Sequence, residues 1–264
     1  MLERNFMYVN NVYDNQPKPL NEEGFRSLLA CQEVEQAYNT IQKHIQEVGE
    51  YQHSDPWLKK YKGGYQTMYA VTIAAQGYTN NTRSKATCVY SGVMAVDLDE
   101  MNVHQFEQTM LIKAEARGLT LDQFYHQEGI LFVGESISGQ GCTLYITRAR
   151  GLSIPAMLQR VAERLGVQVD TSCIDGSRLK FIAPLSTVHF CDWDRLFHWE
   201  SEEEQAYWTV FQEPTQQSNN SQTTVKQPSN NYQTTVKQPS NNYQTTIKQH
   251  NYEHEQHSNP SYRG

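Results

Sequence analysis

The chain predicts an α+β fold: a mixed or antiparallel sheet with flanking helices, followed by a C-terminal tail that builds no core. Three observations point there. Short apolar runs such as Gly92–Val96 and Gly129–Val133 read as buried strands. Segments with apolar residues at steps of three and four begin at Asn or Ser and stop at Gly, as helices do. Strands also follow one another across glycine turns, which argues against a doubly wound parallel sheet.

Residues 1–50 read as a short strand, Phe6–Val9, a proline-containing loop, and a helix packing on the core. Asn21 is a good N-cap, with Glu22 and Glu23 in the first turn. Phe25, Leu28, Leu29, Val34, Ala37, Tyr38, Ile41, Ile45 and Val48 then follow the helical period as one continuous face. Residues 51–213 read as the main domain. It opens on a stretch that interleaves aromatic and basic side chains: His53, Trp57, Lys59, Lys60, Tyr61, Lys62 and Tyr65. Such a stretch can grip a nucleic-acid backbone and stack on bases. A loop with lysine stems lying over a small apolar cluster is the favoured reading.

Met68–Ala75 reads as a strand and Asn80-Asn81 as part of a polar loop. A helix from about Asn102 to Arg117 carries Val103, Phe106, Met110 and Ala114 and stops at Gly118. Strands Gly129–Val133 and Cys142–Ile146 flank a glycine turn, Ser138–Gly141. Ser153-Ile154-Pro155 opens a helix bearing Met157, Leu158, Val161 and Leu165, closed by Gly166. Strands around Val167–Val169 and Arg178–Ile182 complete the domain. In the tail, 214–264, three near-copies of an eleven-residue unit occupy 218–250. Each unit holds one aliphatic residue and two of the three end in Pro, so no helix can run through them and disorder is expected. His250, His254 and His257 there read as solvated polar residues.

The tail carries four Lys/Arg and two Asp/Glu, which leaves −9 on the rest of a chain whose net charge is −7. So acidic a body excludes a general polyanion binder; contact with nucleic acid has to be local, metal-assisted or made by an exposed basic patch. Five cysteines, an odd number without a C-x-x-C pair, suit reduced thiols better than a disulfide frame or a zinc site. No apolar run reaches the roughly 20 residues a bilayer requires. The start of the chain lacks a signal peptide's basic and apolar regions. A cytoplasmic protein without membrane contact is expected.

The chemistry concentrates in three segments. Asp97 and Asp99 end the apolar run, and strand alternation puts both carboxylates on one side, about 7 Å apart. Hard oxygen donors so placed suit magnesium or manganese together with substrate phosphates. The second segment is Ser136-Ile137-Ser138-Gly139-Gln140-Gly141-Cys142-Thr143, and the third runs from Val169-Asp170 through Asp175 to Arg178-Leu179-Lys180-Phe181.

In order and residue type these resemble the archaeo-eukaryotic primase superfamily, whose module uses D-x-D, then S-x-S-G-x-G-x-H, then a strand ending in an acid. The closer resemblance, over roughly residues 55–200, is to the primase-like N-terminal domain of VirE-type proteins from bacterial mobile elements. It implies a primase-polymerase-like fold in which Asp97, Asp99 and Asp170 hold one or two magnesium or manganese ions. Ser138, Gly139, Gly141, Thr143, Arg178 and His189 would then bind the nucleotide, the glycines by letting backbone N–H groups approach phosphate. Read alone, Asp97 and Asp99 also suit a solvent-facing strand end, Ser138–Gly141 a hairpin turn, Arg178 an ion pair with Asp175, and His189 a structural role.

The chain departs from the pattern twice. Thr143 stands where active primases carry histidine, so its phosphate contact is neutral and weaker. VirE-type proteins usually continue into an ATPase, whereas no G-x-x-x-x-G-K-[ST] occurs here, so either the domain acts alone or a separate helicase partner supplies the motor. Three functions stay open. One is nucleotidyl transfer with nucleoside triphosphates and single-stranded DNA during replication of a mobile element or phage. The second is an eroded module that binds DNA or recruits a helicase. The third is a two-metal nuclease.

Overall fold

The computed structural model describes residues 2–49, 52, 54–62, 68–172 and 174–213, and these fall in one compact unit. The repeat tail at 214–264, with its expected disorder, lies outside the described residues, as do His53 and Gly63 to Tyr65.

The fold is α+β, and every strand ladder among the described residues is antiparallel. A central sheet has the order Val188–Cys191, Ile130–Glu135, Cys142–Thr147, Val93–Leu98. A second sheet has the order Lys180–Phe181, Ala70–Thr72, Phe6–Val9, Lys18–Leu20. Leu2–Glu3 pairs with His198–Trp199, and Ala75–Tyr78 with Cys88–Tyr90. Because Phe6–Val9 is hydrogen-bonded to Ala70–Thr72, the N-terminal segment shares a sheet with the main domain and is part of it.

The two-residue period of the strands divides the core. Met94, Val96 and Leu98 join Val133, Leu144 and Ile146 under the helices Val103–Glu115, Leu121–Glu128 and Ile154–Leu165. Val93 and Ala95 face the other way, with Phe132, Tyr145, Phe25 and Phe197. Asp97 continues that second side past the end of the apolar layer.

The N-terminal helical face is broken in two, Glu22–Leu29 and Gln32–Val48, with Cys31 extended between them (φ −77°, ψ 147°). The break lets the halves follow different clusters. Phe25 and Leu29 enter the aromatic layer, while Ala37, Ile41 and Ile45 pack on Leu58, Met68 and Ile137. The stretch after residue 54, favoured as a loop, holds a helix, Pro56–Lys62. Asp55 Oδ1 accepts from the N–H groups of Trp57 and Leu58, and Pro56 supplies a preset first turn. Trp57 stacks between His44 and Tyr61, with ring centroids 4.0 and 4.8 Å away.

Met68–Ala75 is not one strand: Ala70–Thr72 and Ala75–Tyr78 belong to different sheets. Val167–Val169 lies outside every ladder, although the next N–H, of Asp170, donates to Asp97 O at 2.9 Å. Among the described residues, no helix is long and apolar enough to cross a membrane.

Candidate active site

The strand Val93–Leu98 delivers Asp97 and, just beyond its end, Asp99 to a cleft of about 240 Å³. Asp170 reaches the same cleft because its backbone is tied to Asp97 O. Three other elements close it: the loop after Ile130–Glu135 with Ser136 and Ser138, the segment Arg178–Phe181, and Lys62 at the end of its short helix. All three carboxylates, together with Ser138, Thr143 and Arg178, therefore line one cavity.

The loop Ser136–Gly141 is held from within. Gly139 N donates to Ser136 O (2.8 Å), Gly141 N to Ser136 Oγ (3.1 Å), and Ser136 N to Gly141 O (2.9 Å). The hydroxyls of Ser136 and Ser138 lie 2.9 Å apart. The amides of Gly139 and Gly141 are thus engaged inside the loop, so the glycines serve its shape, the hairpin-turn reading of this segment. Gly139 has φ +67°, a region that favours glycine. A Cβ on Gly141 would lie 2.9 Å from Leu98 O and 3.5 Å from Asp99 Cα, so only glycine lets the loop press against the strand end that carries the aspartates.

Thr143 pairs with Asp97 across the ladder, and its hydroxyl donates to Asp97 Oδ1 at 3.4 Å. Asp170 accepts from both the N–H and the hydroxyl of Ser172, each at 2.8 Å. Arg178 donates to Ser172 Oγ at 3.4 Å, while Asp175 is taken by Ser177, whose N–H and hydroxyl it accepts at 2.9 and 2.6 Å.

Two cations of the cleft are not among the site residues expected from the sequence. Lys180, buried on its strand, forms an ion pair with Asp97. Lys62 also lines the cleft; burial lowers its ammonium below the ordinary value, while the charges of Asp99 and Asp97 pull it back up. A signal existed for each. Lys180 is two residues from Arg178, the spacing that puts strand residues on one side, and Lys62 closes the basic-aromatic stretch. With Arg178 they set three cations against three carboxylates. The arrangement can neutralise phosphates and offer hard oxygen donors within one cavity.

His189 is not among the described residues that line this cleft. Its strand, Val188–Cys191, and the strand of Asp97 are the two edges of the central sheet, three ladder steps of about 4.8 Å apart. His189 Nδ1 lies 3.0 Å from Glu107 Oε2, and its ring meets that of His104, with centroids 5.1 Å apart.

Comparison with protein-family models, curated proteins and solved structures finds no match to this chain.

Proposed function

We propose that this is a primase-polymerase-like domain, binding magnesium or manganese, a nucleoside triphosphate and single-stranded DNA for nucleotidyl transfer during replication of a mobile element or phage. One observation carries the reading: three segments far apart in sequence, resembling the primase motifs, converge on a single cleft. In the reaction a 3′-hydroxyl oxygen attacks the α-phosphorus of the triphosphate. The bond to the bridging oxygen breaks, pyrophosphate leaves, and the hydroxyl proton passes to solvent.

The chemistry of the donor set fits a hard divalent ion, which Asp97, Asp99 and Asp170 would hold. Such an ion supplies charge stabilisation to the transferring phosphoryl group. Arg178 and Lys62 are the cations for the triphosphate, and Arg178 adds a planar fork suited to two phosphate oxygens. Thr143 orients Asp97, and the loop Ser136–Gly141 buttresses the strand end. Lys180 neutralises Asp97 in the absence of substrate. A cytoplasmic setting and a separate helicase belong to the same proposal.

A second reading, the eroded module that binds DNA without transferring nucleotides, is favoured by two features. Lys180 competes for Asp97, and a neutral Thr143 stands in the place of a histidine. Either way, substrate binding depends on the cleft. Titration with a fluorescent deoxynucleoside triphosphate plus manganese tests this for the nucleotidyl-transfer reading. We expect binding that weakens at least tenfold in Arg178→Ala and in Asp97→Asn/Asp99→Asn. Equal affinity in wild type and both variants would remove the cleft from nucleotide binding, and so from nucleotidyl transfer.

A further inference from the structure

On the far side of the central sheet a second group of donors converges. Among the described residues, His104, Glu135 and His189 each offer one ligand atom, all within 4.8 Å of one another. The three come from separate elements: the helix Val103–Glu115, the end of the strand Ile130–Glu135, and the edge strand Val188–Cys191.

The ladder register explains why His189 is there. Val188 opposes Gly134 and Phe190 opposes Val133, so His189 is the extra residue of a β-bulge. Bulges re-aim side chains, and they are over-represented beside functional sites. Supporting contacts hold the donors. Glu107, one turn along the helix from His104 and on the same face, meets His189 Nδ1 at 3.0 Å. Tyr38 donates its hydroxyl to Glu135. A carboxylate on one nitrogen of a histidine fixes the ring and raises the basicity of the other nitrogen, the usual outer partner of a metal-bound histidine.

We propose that His104, Glu135 and His189 form a site for a borderline divalent transition metal of the zinc type, separate from the aspartate cleft. Two imidazoles and one carboxylate are a zinc donor set that leaves a fourth position for water. Zinc bonds of about 2.0–2.1 Å put tetrahedral ligand atoms about 3.4 Å apart, so the group closes by small side-chain rotations. The inference does not rest on the nucleotidyl-transfer reading. His104 follows Asp99 by five residues and Glu135 directly precedes Ser136. A bound ion therefore fastens together the two segments that leave the aspartate cleft.

The test uses the full chain with His250, His254 and His257 replaced by alanine, so that the tail cannot supply imidazoles. Cobalt(II) is titrated by visible absorption and zinc by competition, in this parent and in His104→Ala, His189→Ala, Glu107→Gln and Asp97→Asn/Asp99→Asn forms. We expect one equivalent of cobalt with tetrahedral d–d bands in the parent and in the Asp97/Asp99 variant. The bands should vanish in both histidine variants, and Glu107→Gln should weaken zinc about 10–100-fold. Zinc should also raise the melting temperature of the parent and leave that of His104→Ala unchanged. His104 is exposed, so that replacement tests the site without disturbing the core. No tetrahedral cobalt in the parent, or bands unchanged in His104→Ala and His189→Ala, would overturn the assignment.

Discussion

The ion pair between Lys180 and Asp97 gives the sharpest prediction. Replacing Lys180 with methionine keeps the side-chain volume and removes the charge. The side chains are 8 % and 22 % exposed, so the pair is largely withdrawn from water. Removing one partner of a buried pair costs about 3–5 kcal/mol, because the other charge stays behind. The partial exposure of Asp97 puts this case at the low end, about 3 kcal/mol. For a domain of this size 1 kcal/mol moves the melting temperature by about 2–4 °C, so Lys180→Met should melt about 6–12 °C lower. Neutralising both partners, Asp97→Asn/Lys180→Met, should recover most of the loss, since both members of the pair are then neutral. Manganese adds a second readout. With the competing ammonium gone, the aspartates should take the ion more tightly, and a concentration of 100 times the dissociation constant restores about 2.7 kcal/mol. Thermal melts of the wild type, both singles and the double mutant, with and without manganese, measure each quantity. The reasoning fails if Lys180→Met melts within 2 °C of wild type, or if manganese stabilises wild type and Lys180→Met equally.

Gly141→Ala should destabilise by about 1–3 kcal/mol, the usual cost of overpacking, because its methyl meets Leu98 O; urea denaturation measures this, and nucleotide affinity should fall with it. Thr143→His puts a charge-capable donor beside Asp97 and should tighten triphosphate binding up to about tenfold, or 1.4 kcal/mol, in the fluorescent titration. Alkaline stability should follow Cys88, whose thiol burial pushes up from 9.0 to about 12. The unfolded chain loses that proton first, so stability is intact below about pH 9 and falls as pH rises toward 12, with Cys88→Ala flattening the decline in urea midpoints. Tyr78 and Tyr90, raised mainly by burial, add to the same alkaline loss.

What the sequence made legible was local. Strand alternation and an apolar run were enough to place Asp97 and Asp99 on one side of a strand end. The helix opened by Ser153 was visible from its cap, its Pro at the first turn and its closing Gly166. The break at Cys31 was not, because the helical period continues across it, and tertiary packing on two clusters decides the geometry. Pro56–Lys62 hid behind its composition, although Asp55-Pro56 is a helix start. Three helices went unread: Leu121–Glu128, Trp193–Phe197 and Glu202–Val210. All three carried N-cap signals, in Thr120, Asp192 and Ser201.

At the site, each of the three segments could be found by its own residues. The meeting of Lys180 with Asp97 depends on the second sheet lying against the end of the first, which no local pattern encodes. The placement of His189 depended on strand order and on a one-residue bulge. Both are long-range properties of the ladder, and they direct His189 toward Glu107 and His104.

Primer extension tests the central proposal most directly. Purified protein is incubated with manganese, labelled deoxynucleoside triphosphates, and bare or primed single-stranded DNA, beside the Asp97→Ala/Asp99→Ala variant. New or lengthened strands from wild type, and none from the variant, are the predicted result. Folded wild type that binds the nucleotide yet makes no longer strand would contradict nucleotidyl transfer and favour the binding module. Strands shortened in a manner dependent on Asp97 and Asp99 would contradict it as well, and would make the same cleft a nuclease.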